Sequence, residues 1–142
     1  MVEESLKSPV SVIVRNSAQT IVAVRLSVLL DLDQLRREPE RTKDDLARWP
    51  ATEAQIRRLV GRLEQGFEDL APLHACRRLL KFLILCVHPD YYRQGIAEKA
   101  IGLSIAYAKS LGASHVCVTA LSRKSQNLFA RKLRFQLLKV NH

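Results

Sequence analysis

The run Leu80-Lys81-Phe82-Leu83-Ile84-Leu85-Cys86-Val87 constrains the fold more than any other stretch. It is apolar without a polar alternation, which predicts a strand buried on both faces. His88-Pro89-Asp90 then stops the strand in a tight turn. Gly95 and Ala97 follow at the point where a helical pattern begins. Ile96, Ala100, Leu103, Tyr107 and Leu111 recur at three- and four-residue steps, so this face is expected on the sheet, with Glu98, Lys99 and Lys109 outside and Gly112 as the stop.

A strand, a turn of small residues and a helix start have one obvious chemical use. The first-turn amides lack internal partners and the helix dipole adds partial positive charge, so that end suits a phosphate or diphosphate. Strand–turn–helix units with a glycine also occur in proteins that bind no phosphate. Spacing alone leaves both readings open.

Around this unit, Pro9–Arg15 and about Gln19 to Leu30 read as an antiparallel hairpin with its tip at Asn16–Ala18. From Asp31 to Asp45 charges alternate in sign, which predicts a solvated connection with a short helix. Thr52-x-x-Gln55 has the spacing of a capping box, and Ile56, Leu59, Val60, Leu63, Phe67 and Leu70 predict a core-facing helix behind it. Ser114–Ala120 is a further strand, expected parallel to the central one because a helix crosses between them. Leu121–Phe135 is expected to be the last helix and its exit, and Phe135–Val140 a final strand.

The chain of 142 residues has the length of one domain, read here as 1–142. Its net charge of +9 is uneven: residues 81–142 hold 10 basic and 2 acidic side chains. Such a basic half serves nucleic acid, a membrane surface or a small polyanion. Few aromatics interleave with the charges, which disfavours single-stranded nucleic acid. Met1-Val2-Glu3-Glu4-Ser5 lacks the pattern of a signal peptide and no apolar run is long enough to span a membrane, so a cytoplasmic location is expected. Cys76, Cys86 and Cys117 have no metal-ligand spacing and read as buried free thiols; no metal is expected.

The segment Val87-x-Pro89-x-Tyr91-x-x-x-Gly95-Ile96-Ala97 resembles the acetyl-CoA signature of the GNAT superfamily of N-acetyltransferases, with Tyr92 where an arginine or glutamine is usual and Arg93 and Gln94 next to it. The helical stretch before the central strand is similar to insect arylalkylamine (dopamine) N-acetyltransferases. The resemblance implies an α/β (α+β) acyl-CoA N-acyltransferase fold. Its central sheet would be mixed and mostly antiparallel with flanking helices, without the family's first strand and first two helices, hence incomplete at the N-terminus. It also implies that two strands splay to admit the pantetheine arm of acetyl-CoA.

On that resemblance Leu85, Val87, Tyr92, Arg93, Gln94, Gly95, Ile96, Ala97 and Asn127 bind acetyl-CoA, and the amide near Val87 holds the thioester oxygen. Ser122 and Ser125 resemble the family's catalytic serines and equally read as helix caps. Phe129 sits near where many members place a proton-donating tyrosine, Arg134 where they place a glycine, and Trp49, Phe67 and His74 are candidates for acceptor contact. The implied reaction is acetyl transfer to a small primary amine in a ternary complex, by a monomer or homodimer. The alternative is a coenzyme A-binding remnant with weak or no catalysis.

Overall fold

The structure, a computed structural model, describes residues 9–37 and 50–138. They fall into two compact units, one built from residues 9–33 and 76–118, the other from 34–37, 50–75 and 119–138.

The first unit holds a four-stranded sheet in the order β1-β2-β3-β4, with β1 at Val12–Arg15, β2 at Ile21–Asp31, β3 at Arg78–Val87 and β4 at His115–Val118. β1 and β3 both run antiparallel to β2, while β4 is parallel to β3. The hairpin and the parallel pair are as the sequence predicts. Asn16 shapes the hairpin tip: its Oδ1 accepts from the amides of Ala18 and Thr20, both at 3.0 Å.

Helix α3 (Ile96–Ser110) packs against β1, β2 and β3. Its buried residues are Ala100, Ile101, Ser104 and Ala108, whereas Leu103 is 61% and Tyr107 49% exposed. The expected face is therefore rotated, because the narrow side chains of Ala100, Ser104 and Ala108 let the helix axis come close to the sheet. Gly112 takes φ 91° and ends the helix.

β3 also departs from its expected burial. Leu79, Leu80, Lys81 and Phe82 are buried, but from Leu83 onward the strand alternates, with Ile84 and Cys86 exposed. β4 flanks only Leu79–Phe82, so the second half of the strand lacks that neighbour. Cys86 is thus not a buried thiol; Cys76 is, and Cys117 is intermediate.

The sheet also buries Arg25, whose guanidinium lies 3.5 Å from the centroid of the Phe82 ring. Burial pushes this guanidinium down from its ordinary value to about 9.

In the second unit, the described chain enters through the short helix α1 (Leu32–Arg37), which begins in the first unit, as predicted for the charged connection. Arg36 of this helix donates to the carbonyls of Glu68, Leu73 and His74 at 2.8, 2.9 and 3.2 Å. Helix α2 spans Ala51–Glu64. Pro50 is its N-cap and no side chain caps it, so Thr52 lies inside the first turn and the predicted capping box does not form. Proline supplies φ −53° before the helix and leaves no room for a threonine cap two residues later.

Only Ala54 of α2 is buried, while Ile56 and Leu59 are exposed, so the helix is less core-facing than its periodicity suggests. Helix α4 (Arg123–Asn127) opens into a wider π-type turn at Leu128–Lys132. The predicted last helix ends there. Residues 134–138 form no strand; instead the Phe135 amide turns back to the Phe129 carbonyl at 2.7 Å.

Candidate active site

Two features of the first unit come together at the end of β3. The first is an open strand edge. β3 pairs with β4 from Leu79↔His115 to Phe82↔Val118 and then runs on alone on that side to Val87. The cause lies on the other edge, where the register jumps from Leu26↔Ile84 to Ser27↔Phe82 and leaves Leu83 as a bulge. A bulge bends and over-twists its strand, and this one sits one residue past the last rung to β4.

Which backbone groups face the opening follows from the antiparallel ladder. The His88 amide donates to the Val22 carbonyl at 2.8 Å, so His88 and Val22 are a hydrogen-bonded pair. Bonded and non-bonded pairs alternate. Cys86↔Val24 is then bonded, and Val87↔Ala23 and Leu85↔Arg25 are not. Leu85 and Val87 therefore direct their N–H and C=O groups away from β2, toward the side from which β4 has parted.

The second feature is the loop between β3 and α3. His88 Nδ1 accepts from the Asp90 amide at 3.2 Å, and the Tyr91 amide donates to the His88 carbonyl at 2.9 Å, which starts a 3₁₀ turn over Pro89–Tyr91. Asn16 Nδ2 donates to the Tyr91 hydroxyl at 3.1 Å and ties the loop to the hairpin tip. Arg93 and Gly95 take φ 63° and 75°. Alternating hand along a backbone turns successive N–H groups to one side, the geometry of an anion-binding nest.

Gly95 is the N-cap of α3 and offers no side-chain acceptor. The first helical bond runs from the Lys99 amide to the Gly95 carbonyl, so the amides of Ile96 and Ala97 precede it. A Cβ added at Gly95 would meet nothing within 4 Å, so the space over the nest is open. Tyr92, Arg93 and Gln94 are exposed.

The remaining predicted residues lie in the second unit. Ser122 is the N-cap of α4: its Oγ accepts from the Ser125 amide at 3.1 Å and lies 2.9 Å from the Ser125 hydroxyl, which also donates to the Ser122 carbonyl at 2.9 Å. Asn127 is exposed at the end of the same helix. Phe129 is buried and packs against Phe135 at 5.1 Å. Phe67 is buried and His74 exposed, while Trp49 lies outside the described residues. Among the described residues no cluster of His, Cys, Asp and Glu could hold a metal, and no helix is long and apolar enough to cross a membrane.

The Leu83 bulge and the Asn16–Tyr91 tie escape a sequence reading. A bulge inside an unbroken apolar run leaves no residue signal, and the tie joins positions 75 apart.

The profile of the Acetyltransferase (GNAT) family matches residues 66–135. Among solved structures, the chain is similar to arylalkylamine N-acetyltransferase 2 from Aedes aegypti (TM-score 0.69, 18% identity, covering 91% of this chain and 58% of that one). It is also similar to a mosquito arylalkylamine N-acetyltransferase-like 5b protein (0.63, 20%, 87% and 57%) and a Trypanosoma brucei acetyltransferase (0.55, 14%, 93% and 65%). Among curated proteins none matches by sequence. The chain thus spans about 58% of the length of the mosquito enzyme, and at these identities the likeness establishes the fold. The fold is thus similar to that of these acetyltransferases, and the stretch 66–135 within it is what matches the GNAT family profile.

Proposed function

We propose that the chain binds acetyl-CoA and transfers its acetyl group to a small primary amine of the arylalkylamine type. The observation that carries this reading is the open edge of β3, where Leu85 and Val87 present main-chain groups beside the opening left by β4. An extended pantetheine arm can pair with such an edge as an added strand would. Its diphosphate then meets the amides from Arg93 to Ala97, with the Arg93 side chain supplying a cation and Tyr92 and Gln94 flanking.

The Val87 amide would hold the thioester oxygen as charge grows on it in the tetrahedral transition state. Direct attack by the neutral amine needs that amine positioned, its proton accepted and the departing sulfur protonated. Ser122 or Ser125 would supply the sulfur's proton, with Asn127 on the same helix contacting the cofactor. The acceptor class is supported by the mosquito arylalkylamine enzymes among the structural neighbours.

Thiol release from acetyl-CoA across a panel of arylalkylamines, polyamines and aminoglycosides tests the reading. Turnover confined to arylalkylamines is expected. Turnover only with another class would move the acceptor, and acetyl-CoA binding without thiol release with any amine would favour a non-catalytic coenzyme A-binding domain, a reading that the mutual bonding of the two serines also suits.

A further inference from the structure

The loop proposed above to hold the coenzyme's diphosphate is shaped against its local preference. Arg93 keeps φ 63°, a left-handed conformation disfavoured in an L-residue. The bonds inside the loop are short-range: His88 Nδ1 takes the Asp90 amide, and the amides of Tyr91 and Tyr92 reach back to the carbonyls of His88 and Pro89. Such bonds close a turn without fixing where it points.

The direction comes from the β1–β2 hairpin, which belongs to the same unit. The His88 amide is fastened to the Val22 carbonyl at 2.8 Å, and further along the Tyr91 hydroxyl accepts from Asn16 Nδ2 at 3.1 Å. Asn16 is a firm anchor. Its Oδ1 takes the amides of Ala18 and Thr20, its own amide donates to the Thr20 carbonyl at 3.0 Å, and its carbonyl accepts from the Gln19 amide at 2.9 Å.

Because an amide nitrogen cannot accept, the two bonds to Oδ1 decide the orientation of the Asn16 side chain and leave Nδ2 facing Tyr91. The Tyr91 ring also stands edge-on to His88, with centroids 6.2 Å apart and planes at 77°. Asn16 and Tyr91 are both half-buried, which limits competition from water for their bond.

We infer that the hairpin tip is a splint for the diphosphate loop, with Asn16 and Tyr91 as positioning residues for acetyl-CoA. They act through the amides from Arg93 to Ala97. The loop is already ordered when the coenzyme arrives, so less conformational freedom is lost on binding. This inference rests on the acetyl-CoA placement proposed above, and the two fail separately.

Tyr91→Phe deletes the hydroxyl and nothing else. Asn16→Ser keeps a hydroxyl acceptor for the tip amides and is too short to reach Tyr91. The two variants, their double variant and the full wild-type chain would be titrated with acetyl-CoA by calorimetry, and kcat would be measured with phenethylamine at saturating acetyl-CoA. Tyr91→Phe should weaken acetyl-CoA binding about fivefold, the worth of one hydrogen bond, with kcat unchanged. Asn16→Ser should weaken binding at least as much, and adding Tyr91→Phe to it should cost nothing further. Wild-type affinity in Tyr91→Phe, or a further fivefold loss in the double variant, overturns the splint while leaving the acetyltransferase reading intact. A folded wild-type chain that takes up no acetyl-CoA overturns both.

Discussion

Phe82 and Val118 form the last rung of the parallel ladder, and Leu83, the next residue of β3, bulges from the antiparallel one. The strand is released from β4 and bent at the same place, so the opening is built by register and does not depend on a special side chain.

This makes the main-chain amides of β3 separable by proline. Val87→Pro removes an N–H that does not bond β2, a position where proline is tolerated. Cys86→Pro removes one that does. Cys86→Pro should destabilise the protein by about 3 kcal/mol. Val87→Pro should leave the urea midpoint nearly unchanged, yet lower kcat about 100-fold through the lost oxyanion donor. Wild-type turnover in a folded Val87→Pro protein would remove that amide from the mechanism.

Ser122 and Ser125 share a cap but should separate in function. Ser122→Ala deletes the side chain that receives the Ser125 amide and should cost about 1 kcal/mol in chemical denaturation. Ser125→Ala keeps that acceptor. If Ser125 protonates the sulfur, its removal lowers kcat about tenfold or more with unchanged acetyl-CoA affinity. An unchanged rate leaves both serines as caps.

Arg134 holds φ 56°, a left-handed conformation that costs an L-residue about 1 kcal/mol. Glycine adopts it freely. Arg134→Gly should therefore raise stability by about 0.5 to 1 kcal/mol despite the looser unfolded chain, seen as a higher urea midpoint. A lower midpoint would mean that the arginine side chain contributes more than its backbone costs.

Arg25 over Phe82 yields two expectations. Phe82→Leu loses the ring face and part of the buried volume, and should cost about 2 to 3 kcal/mol. The pH dependence follows from burial, which holds the folded-state guanidinium at about 9, well below its ordinary value in the unfolded chain. Between those values the unfolded chain binds more protons, so this group's contribution makes stability rise with pH, and the burial cost is fully present below about 9. Stability measured at pH 8 and pH 10 should shift in favour of wild type relative to Arg25→Gln. A shift of opposite sign would contradict the assignment.

Much of this was legible in the residues. The hairpin, the parallel pair, the glycine at the start of α3 and the glycine at its end follow from turn chemistry and local apolar runs, which act over a few residues. Where the sequence misled, longer-range packing decided. The pattern Ile96-Ala100-Leu103-Tyr107 fits a helix face as well as the one used, and only the approach of α3 to the sheet chooses Ser104 and Ala108 over Leu103 and Tyr107. The apolar run predicts burial on both faces for all of β3, but β4 ends at Val118 and the exposed Ile84 and Cys86 lie beyond it. Arg134 at a position where a glycine is expected was a departure in sequence, and the backbone retains the glycine-like conformation there.

The most direct measurement is calorimetric titration of the folded chain with acetyl-CoA, run beside Gly95→Val. The β-branched side chain fills the open space above the nest and opposes φ 75°. Saturable one-to-one uptake by wild type, weakened at least about tenfold in a folded Gly95→Val protein, is expected from loss of the close backbone approach to the diphosphate. No uptake by wild type, or equal uptake by the two proteins, would contradict the placement of the acyl carrier between this loop and the open edge of β3.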